Sequence, residues 1–502
     1  DSDAPVESGI DNIDSDFGMD DNGDTVEPEV RTEDVLNNRI KDLTGSEHSY
    51  ENVYVEIPKV NLDTIIIKND VVHNKIDEGF RKDEESFVPT SDDLPEHLQY
   101  LYSPTCFYKP DTEFNKFKKD AQKEVSYLVK EFECRKSASA YARATTSRTG
   151  VLDTKKLHTY KYSEDLFKKI NVIPDGKNHG LVFILDWSGS MQYVLQDTLK
   201  QLFNLIWFCK KVQIPFEVYA FTCEWNRRGY GCDADKPLKP HYEAKEGLLA
   251  VEKCFNLLNV LTSKTNGKEM ERQMKNIWRI ATYHNSYYKA TFGISPRLCL
   301  SGTPLNEALV SLHEVLPKFQ KENNLQKVQC VILTDGEAND IGYNVEIIRP
   351  NTQYTGQRRI HPGHGFLRDR KTGNTYKFDY GWHTFTQTLL TNMRDKFPSV
   401  NFIGMRVLAS RDVGNFMRLH NYPGGDEFTR IQKEWKKEKS FCIKNSGYDA
   451  YFGLSSNSLS QDSEFEVDEG ASKAKIKIAF VKSLKVKKLN KKVLGEFISL
   501  VA

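Results

Sequence analysis

The hydrophobic pattern changes period several times along the chain, and the changes mark out its elements. Leu181-Val-Phe-Ile-Leu185 is an unbroken apolar run, the pattern of a strand buried on both faces. Helical spacing follows: Leu195, Leu199, Leu202, Phe203 and Ile206 fall on one face of a helix predicted near 191–211. Phe216–Phe221 reads as the next strand, and Val328–Leu333 and Val400–Val407 as two more, the last completing a sheet. Helices are predicted over Leu248–Leu261, Glu269–Tyr283, from Thr303 onward, and near 383–396. Strands alternating with helices predict an α/β fold with a doubly wound, mostly parallel sheet. Inserts near 224–298 and 340–380 interrupt the alternation; the first holds an aromatic cluster, Tyr283 to Phe292, and the second a hairpin around Lys371–Asn374.

Upstream the pattern is weaker. Asn52–Ile57 and Thr64–Ile67 look extended, and 111–142 reads as one long helix with Phe117, Ala121, Val125, Leu128 and Phe132 near helical spacing. The chain thus divides into a tail (1–47), an N-terminal α+β region with the long helix (48–142), a basic lead-in (143–175), an α/β domain (176–455), and a linker with a basic segment (456–502).

Charge sharpens the two ends. The formal net charge is zero, yet residues 1–35 carry thirteen acids against Arg31, and 471–502 carry nine lysines against Glu496. The acidic head is expected to be disordered, and Asp14–Asp24 lacks EF-hand spacing. Residues 473–497 begin as an alternating strand (Lys473, Lys475, Lys477 against Ala474, Ile476, Ile478) and continue as a Lys-rich amphipathic segment with Val486, Leu489, Val493 and Leu494, read as the solvated face of a docking helix ahead of a nucleic-acid surface. Nine cysteines, an odd number with no C-x-x-C, point to a reducing, cytoplasmic compartment and argue against a disulfide framework or a zinc site. No apolar stretch approaches a membrane span.

Chemistry is concentrated where the strands end. The 181–185 run stops at Asp186-x-Ser188-x-Ser190, three oxygen donors that suit a hard divalent cation. Alone, such a triplet arises by chance in roughly one chain of this length in ten, and its serines would serve as helix caps. Two further loops change that reading. Ser301-Gly-Thr303-Pro304 opens a helix, with Thr303 placed as its cap and Pro304 in its first turn. The 328–333 strand ends at Thr334-Asp335-Gly336.

Asp186, Ser188, Ser190, Thr303 and Asp335 together resemble the metal-ion-dependent adhesion site of von Willebrand factor A (VWA) domains, in order and in strand context. The resemblance implies a VWA-type, Rossmann-like sheet over about 142–455. It also implies a bound Mg²⁺, with Mn²⁺ or Ca²⁺ as alternatives. In that family the two serines and either the threonine or an aspartate touch the metal, and the other acids act through water. Hydroxyl ligands add no charge, so the metal keeps its Lewis acidity and favours an anionic ligand from a partner's Asp or Glu. The segment Ala142–Leu157, rich in arginine and small residues, and the acidic stretch before it are similar to those of the cobaltochelatase VWA subunit. That likeness implies a non-catalytic subunit that docks an acidic residue beside an AAA+ ATPase, with metal insertion into a tetrapyrrole (cobalamin biosynthesis) as one task. No P-loop is present, so ATP hydrolysis would be the partner's.

Other readings are weaker. Asp335–Asp340 resembles the last acidic motif of haloacid-dehalogenase phosphatases, with Asp186 as nucleophile and Thr303 as second motif, but their general acid would be at Ser188. Trp187-Ser188-Gly189 does not complete G-x-S-x-G. An adhesion-type VWA module would call for paired cysteines. The histidines lack metal spacing on a predicted helix, and His361-x-x-His364 lies in a Gly/Pro loop.

Overall fold

In the computed structural model the apolar runs pair into one eight-stranded sheet. The structure describes residues 52–455, except for 87–106, 144, 148–153, 155, 163–169, 173–177, 228–237, 286–291, 336–337, 350–351, 382–383, 409–411, 421–424 and 444–445. The acidic head and the basic 473–497 segment lie outside the described residues.

The chain begins with β1 (Val53–Val55), α1 (Leu62–Ile65), β2 (Ile66–Ile67), α2 (Asn69–Ser86), α3 (Tyr108–Arg143), β3 (Thr145–Ser147) and β4 (Ile170–Val172). Then come β5 (His179–Asp186), α4 (Leu195–Val212), β6 (Phe216–Thr222), β7 (Asn256–Thr262), α5 (Gly267–His284), α6 (Leu305–Glu322) and β8 (Lys327–Leu333). Hairpin strands β9 (Gly342–Arg349), β10 (Thr352–Arg359), β11 (Gly365–Arg368) and β12 (Thr375–Lys377) follow. The last elements are α7 (Thr384–Lys396), β13 (Val400–Leu408), α8 (Val413–His420), α9 (Asp426–Glu438), β14 (Ser440–Ile443) and β15 (Ala450–Ser455).

The sheet order is β14-β15-β13-β8-β5-β6-β7-β2. Pairing is parallel except where β7 meets β6 and β14 meets β15. From β5 the chain winds one way through β6 and β7, then returns to lay β8, β13 and β15 on the other side. The winding reverses between β5 and β8, so the crevice at their carboxyl ends is the place where open α/β sheets put ligands.

The two-residue period of the strands builds a core on each face. Leu181, Phe183 and Leu185 of β5 pack with α4, α5, α3 and α2, through residues such as Leu199, Ile277, Phe114 and Val72. Val182 and Ile184 face the other way, toward α6, α7, α8 and α9, through Leu309, Leu390, Phe416 and Ile431. The described residues from Val53 onward fall in one compact unit. The N-terminal region therefore builds the same core: β2 edges the main sheet, and Phe117 of α3 stacks on Trp278 of α5 with ring centroids 5.7 Å apart. Strand β1 pairs with β11, tying the start of the unit to the 340–380 hairpins.

Four expectations need correction. Leu248–Leu261 is not a helix; Asn256–Thr262 is strand β7 of the main sheet. An apolar run this short fits either state, and here burial on both sides of the sheet decides. With β7 and α5 built into the sheet and its cover, 224–298 is largely part of the fold rather than an insert. Val400–Leu408 does not finish the sheet, because β15 pairs parallel to it and β14 closes the edge. Thr64–Ile67 is extended only at Ile66–Ile67; Thr64 lies in a single helical turn capped by Asn61. The long helix, the 384–396 helix and the 365–377 hairpin form as expected.

Candidate metal centre

Strand β5 delivers Asp186 at its last position, with no exposed surface. Strand β8 carries the chain to Thr334 and Asp335, both buried. The parallel register pairs Leu185 with Leu333, so the next residues, Asp186 and Thr334, emerge side by side on the same face. The Thr334 hydroxyl donates to Oδ2 of Asp186 at 2.7 Å, and the Ser188 N–H donates to Oδ1 at 3.0 Å. Both carboxylate oxygens are thus held by groups that also fix the two loops.

The serines do not act as helix caps. A 3₁₀ turn, Gly189–Tyr193, starts at Ser188 without a side-chain capping bond, and α4 starts at Val194, also uncapped by a side chain. The Ser188 hydroxyl lies 3.0 Å from the Ser190 hydroxyl instead. Ser188 is fully buried and Ser190 exposed, so the pair leads from the sheet end to the surface.

The middle loop is stitched to both others by main-chain bonds. Gly189 N–H donates to the Ser301 carbonyl at 2.7 Å, and Ser188 and Ser301 form a parallel bridge. Two residues on, the Thr303 carbonyl accepts from Leu305 N–H at 2.8 Å and Asn339 N–H at 2.9 Å. The expected cap at Thr303 is not what forms. Pro304, at φ −77° and ψ 51°, is the residue that precedes the helix, and no side chain caps it. Thr303 contributes its carbonyl, and the residue is buried.

Electrostatics set two buried carboxylates against each other. Burial, and after it the nearby Asp335 carboxylate, push the Asp186 carboxyl well above the usual carboxylate range, while the bonds from Ser188 and Thr334 pull it back. The same two carboxylates help raise the buried Tyr451 phenol, pushed up to about 12 mainly by burial. A dication here would relieve the repulsion between Asp186 and Asp335. Two carboxylates with three hydroxyls are a hard, all-oxygen donor set, which fits Mg²⁺ and offers nothing to a soft metal.

Of the residues singled out by sequence, Asp186, Ser188 and Ser190 are joined by direct bonds or shared loop geometry, and Asp335 acts on Asp186 through its charge. Thr303 is brought alongside through Ser301 and Asn339. Sequence reasoning passes over Thr334 as a functional side chain; its place beside Asp335 and the strand register are the signal that points to it. It also passes over Asn306, whose amide donates to the Asn339 carbonyl at 2.7 Å and braces the third loop.

No family model matches the chain, and no curated protein matches it. Among solved structures, the pilus adhesin SpaC from Lactobacillus rhamnosus GG, in an open conformation, aligns with 65% of this chain at 13% identity and a TM-score of 0.27. The aligned part is 31% of the adhesin, so this chain spans about a third of it. A likeness that slight carries no argument. What the fold itself defines is a mixed α/β protein with a mostly parallel sheet. Among the described residues no helix is long and apolar enough to cross a membrane, and the seven cysteines described are free thiols.

Proposed function

We propose that this chain is a VWA-type docking subunit that holds Mg²⁺ through Ser188, Ser190 and Thr303, with Asp186 and Asp335 balancing its charge. The observation that carries the reading is the meeting of two strand-end loops, and of the loop before α6, at the point where the winding reverses, with Asp186 bonded by both Ser188 and Thr334. When bound, the cation supplies a Lewis-acidic position for a partner's carboxylate. The chain's own residues do the rest. Asp186 and Thr334 hold the two deepest loops in register, the Ser188–Ser190 pair leads to the surface, and the Ser301 and Thr303 carbonyls lock the middle loop.

This donor set favours capture over turnover. No general acid stands two residues after Asp186, and the hydroxyl there belongs to a buried serine. The resemblance of the lead-in and acidic stretch to the cobaltochelatase VWA subunit points to an AAA+ ATPase as the working partner, in the cytoplasm. Tetrapyrrole metallation is one such task and another remodelling complex the alternative. The test is a pull-down from the host with the full chain in Mg²⁺ and in EDTA. Recovery of an AAA+ ATPase in Mg²⁺ alone, lost with Ser190→Ala, supports the proposal. Recovery of the same proteins under both conditions overturns it.

A further inference from the structure

A second cluster of donors lies one strand away and has a different chemistry. Cys223 directly follows the last residue of β6, and Glu252 and Cys254 lie just before β7. The antiparallel pairing of β6 with β7 sets Thr222 opposite Asn256, which brings these loop residues together across thirty positions of sequence. One donor atom from each of Cys223, Glu252 and Cys254 lies within 4.8 Å of the others. The Cys223 and Cys254 sulfurs stand 3.9 and 3.2 Å from Oε2 of Glu252.

A fourth group acts on the cluster through its charge. Glu307, in the first turn of α6, is 4% exposed, and its Oε2 has no hydrogen-bond partner among the described residues. Its carboxylate acts on the Cys223 thiol, and Glu252 acts on it in turn. An orphaned, buried carboxylate near a thiol and a second acid is costly, and a cation is what such a group lacks.

We infer that Cys223, Cys254 and Glu252 ligate a zinc ion that clamps the ends of β6 and β7, with Glu307 balancing its charge from the start of α6. Two thiolates and a carboxylate oxygen, with a fourth position open to water, are a mixed donor set suited to tetrahedral zinc. At ordinary zinc bond lengths, sulfur and oxygen ligands sit roughly 3.6 Å apart, midway between the two separations seen here. The hydroxyl-rich centre at β5 and β8 offers no sulfur, so the two sites would take different metals. Binding releases the two thiol protons. The hydrogen bond with the Cys254 thiol, and after it burial and the nearby acids, raise Cys223 when no cation is present. Sequence reasoning sets zinc aside for want of a C-x-x-C; the ligands are instead assembled by strand pairing.

The test is elemental analysis of the full chain, purified under reducing conditions, incubated with zinc chloride and desalted. Retention of about one zinc per chain is expected, lost in Cys223→Ser/Cys254→Ser and kept in Ser190→Ala. Glu307→Gln, which preserves shape, should weaken zinc about tenfold or more against a competing chelator. Cobalt in place of zinc should give a thiolate-to-cobalt charge-transfer band. The inference is overturned if the chain retains no zinc, if the double cysteine variant retains as much, if Ser190→Ala loses it, or if reducing preparation leaves a Cys223–Cys254 disulfide.

Discussion

The Thr334 hydroxyl donates a 2.7 Å hydrogen bond to Oδ2 of Asp186, across 148 residues of sequence. The bond links the ends of the two strands between which the winding reverses, and it helps aim the Asp186 carboxylate. Groups that orient a ligand typically contribute 10–100-fold to metal affinity. Thr334→Val is therefore expected to weaken Mg²⁺ by about that factor, and Thr334→Ser to restore it. The readout is the Mg²⁺-dependent rise in melting temperature, about 2.7 kcal/mol of stabilisation at a hundredfold excess over Kd. An unchanged rise in Thr334→Val would remove Thr334 from the site.

Asp186→Asn tests the charge argument. The variant keeps an acceptor for the Ser188 N–H and deletes one of two buried acids. Without metal it should melt no lower than the parent, because the repulsion from Asp335 is gone. With Mg²⁺ it should show no stabilisation and no partner capture. A variant that is unfolded without metal would show that Asp186 is chiefly structural.

His313 sets an acid limit. It is buried between α6 and α7, its Nε2 lies 3.0 Å from Oδ1 of Asn392, and burial depresses its pKa to about 4. The unfolded chain takes up this proton near pH 6.5 and the folded chain only near 4. The stability it contributes is therefore present above the unfolded value and lost as pH falls through that window. The full loss is about 3 kcal/mol. Buried Asp186, Glu217 and Glu307 have raised values and act in the opposite sense. The difference between parent and His313→Gln in denaturant titrations from pH 7 to 4 isolates the histidine. Parallel curves would refute its role.

Arg279 clamps α3 to α5. Its guanidinium makes bonds of 2.9 and 2.8 Å to the two oxygens of Asp111 and lies 3.9 Å from the ring centre of Phe107. Arg279→Lys keeps the charge but loses the fork, and should cost about 1–2 kcal/mol in denaturant unfolding. A loss below the measurement error would mean the clamp is solvated away.

Gly180 opens β5 where no side chain fits. A Cβ there would meet Leu325 Cδ1 at 2.3 Å and Phe319 Cε1 at 2.9 Å. Gly180→Val should cost about 1–3 kcal/mol by overpacking, visible as a lowered melting temperature. Gly414→Ala, where nothing lies within 4 Å, serves as the control.

The strands and helices with a clear period are legible in the order of residues alone. Leu181–Leu185 and Val328–Leu333 are apolar runs that end on acids, and α4 carries its apolar stripe in the sequence. The Asp186-x-Ser188-x-Ser190 donors and Asp335 stand out for a related reason: polar residues at the ends of buried strands contrast with the run they terminate. Local signals fail where a run is too short to choose a period, as at Asn256–Thr262, and at Thr303, where Pro304 takes the place expected of the cap.

Sequence by itself determined which segments are apolar, at what spacing, and which oxygen donors interrupt them, because these are properties of neighbouring residues. Only the tertiary structure decided what meets what. Parallel register sets Thr334 against Asp186, and antiparallel pairing of β6 with β7 carries Cys223 to Cys254. Strand pairing is a relation between distant segments, chosen by burial of whole faces, and no local pattern encodes it.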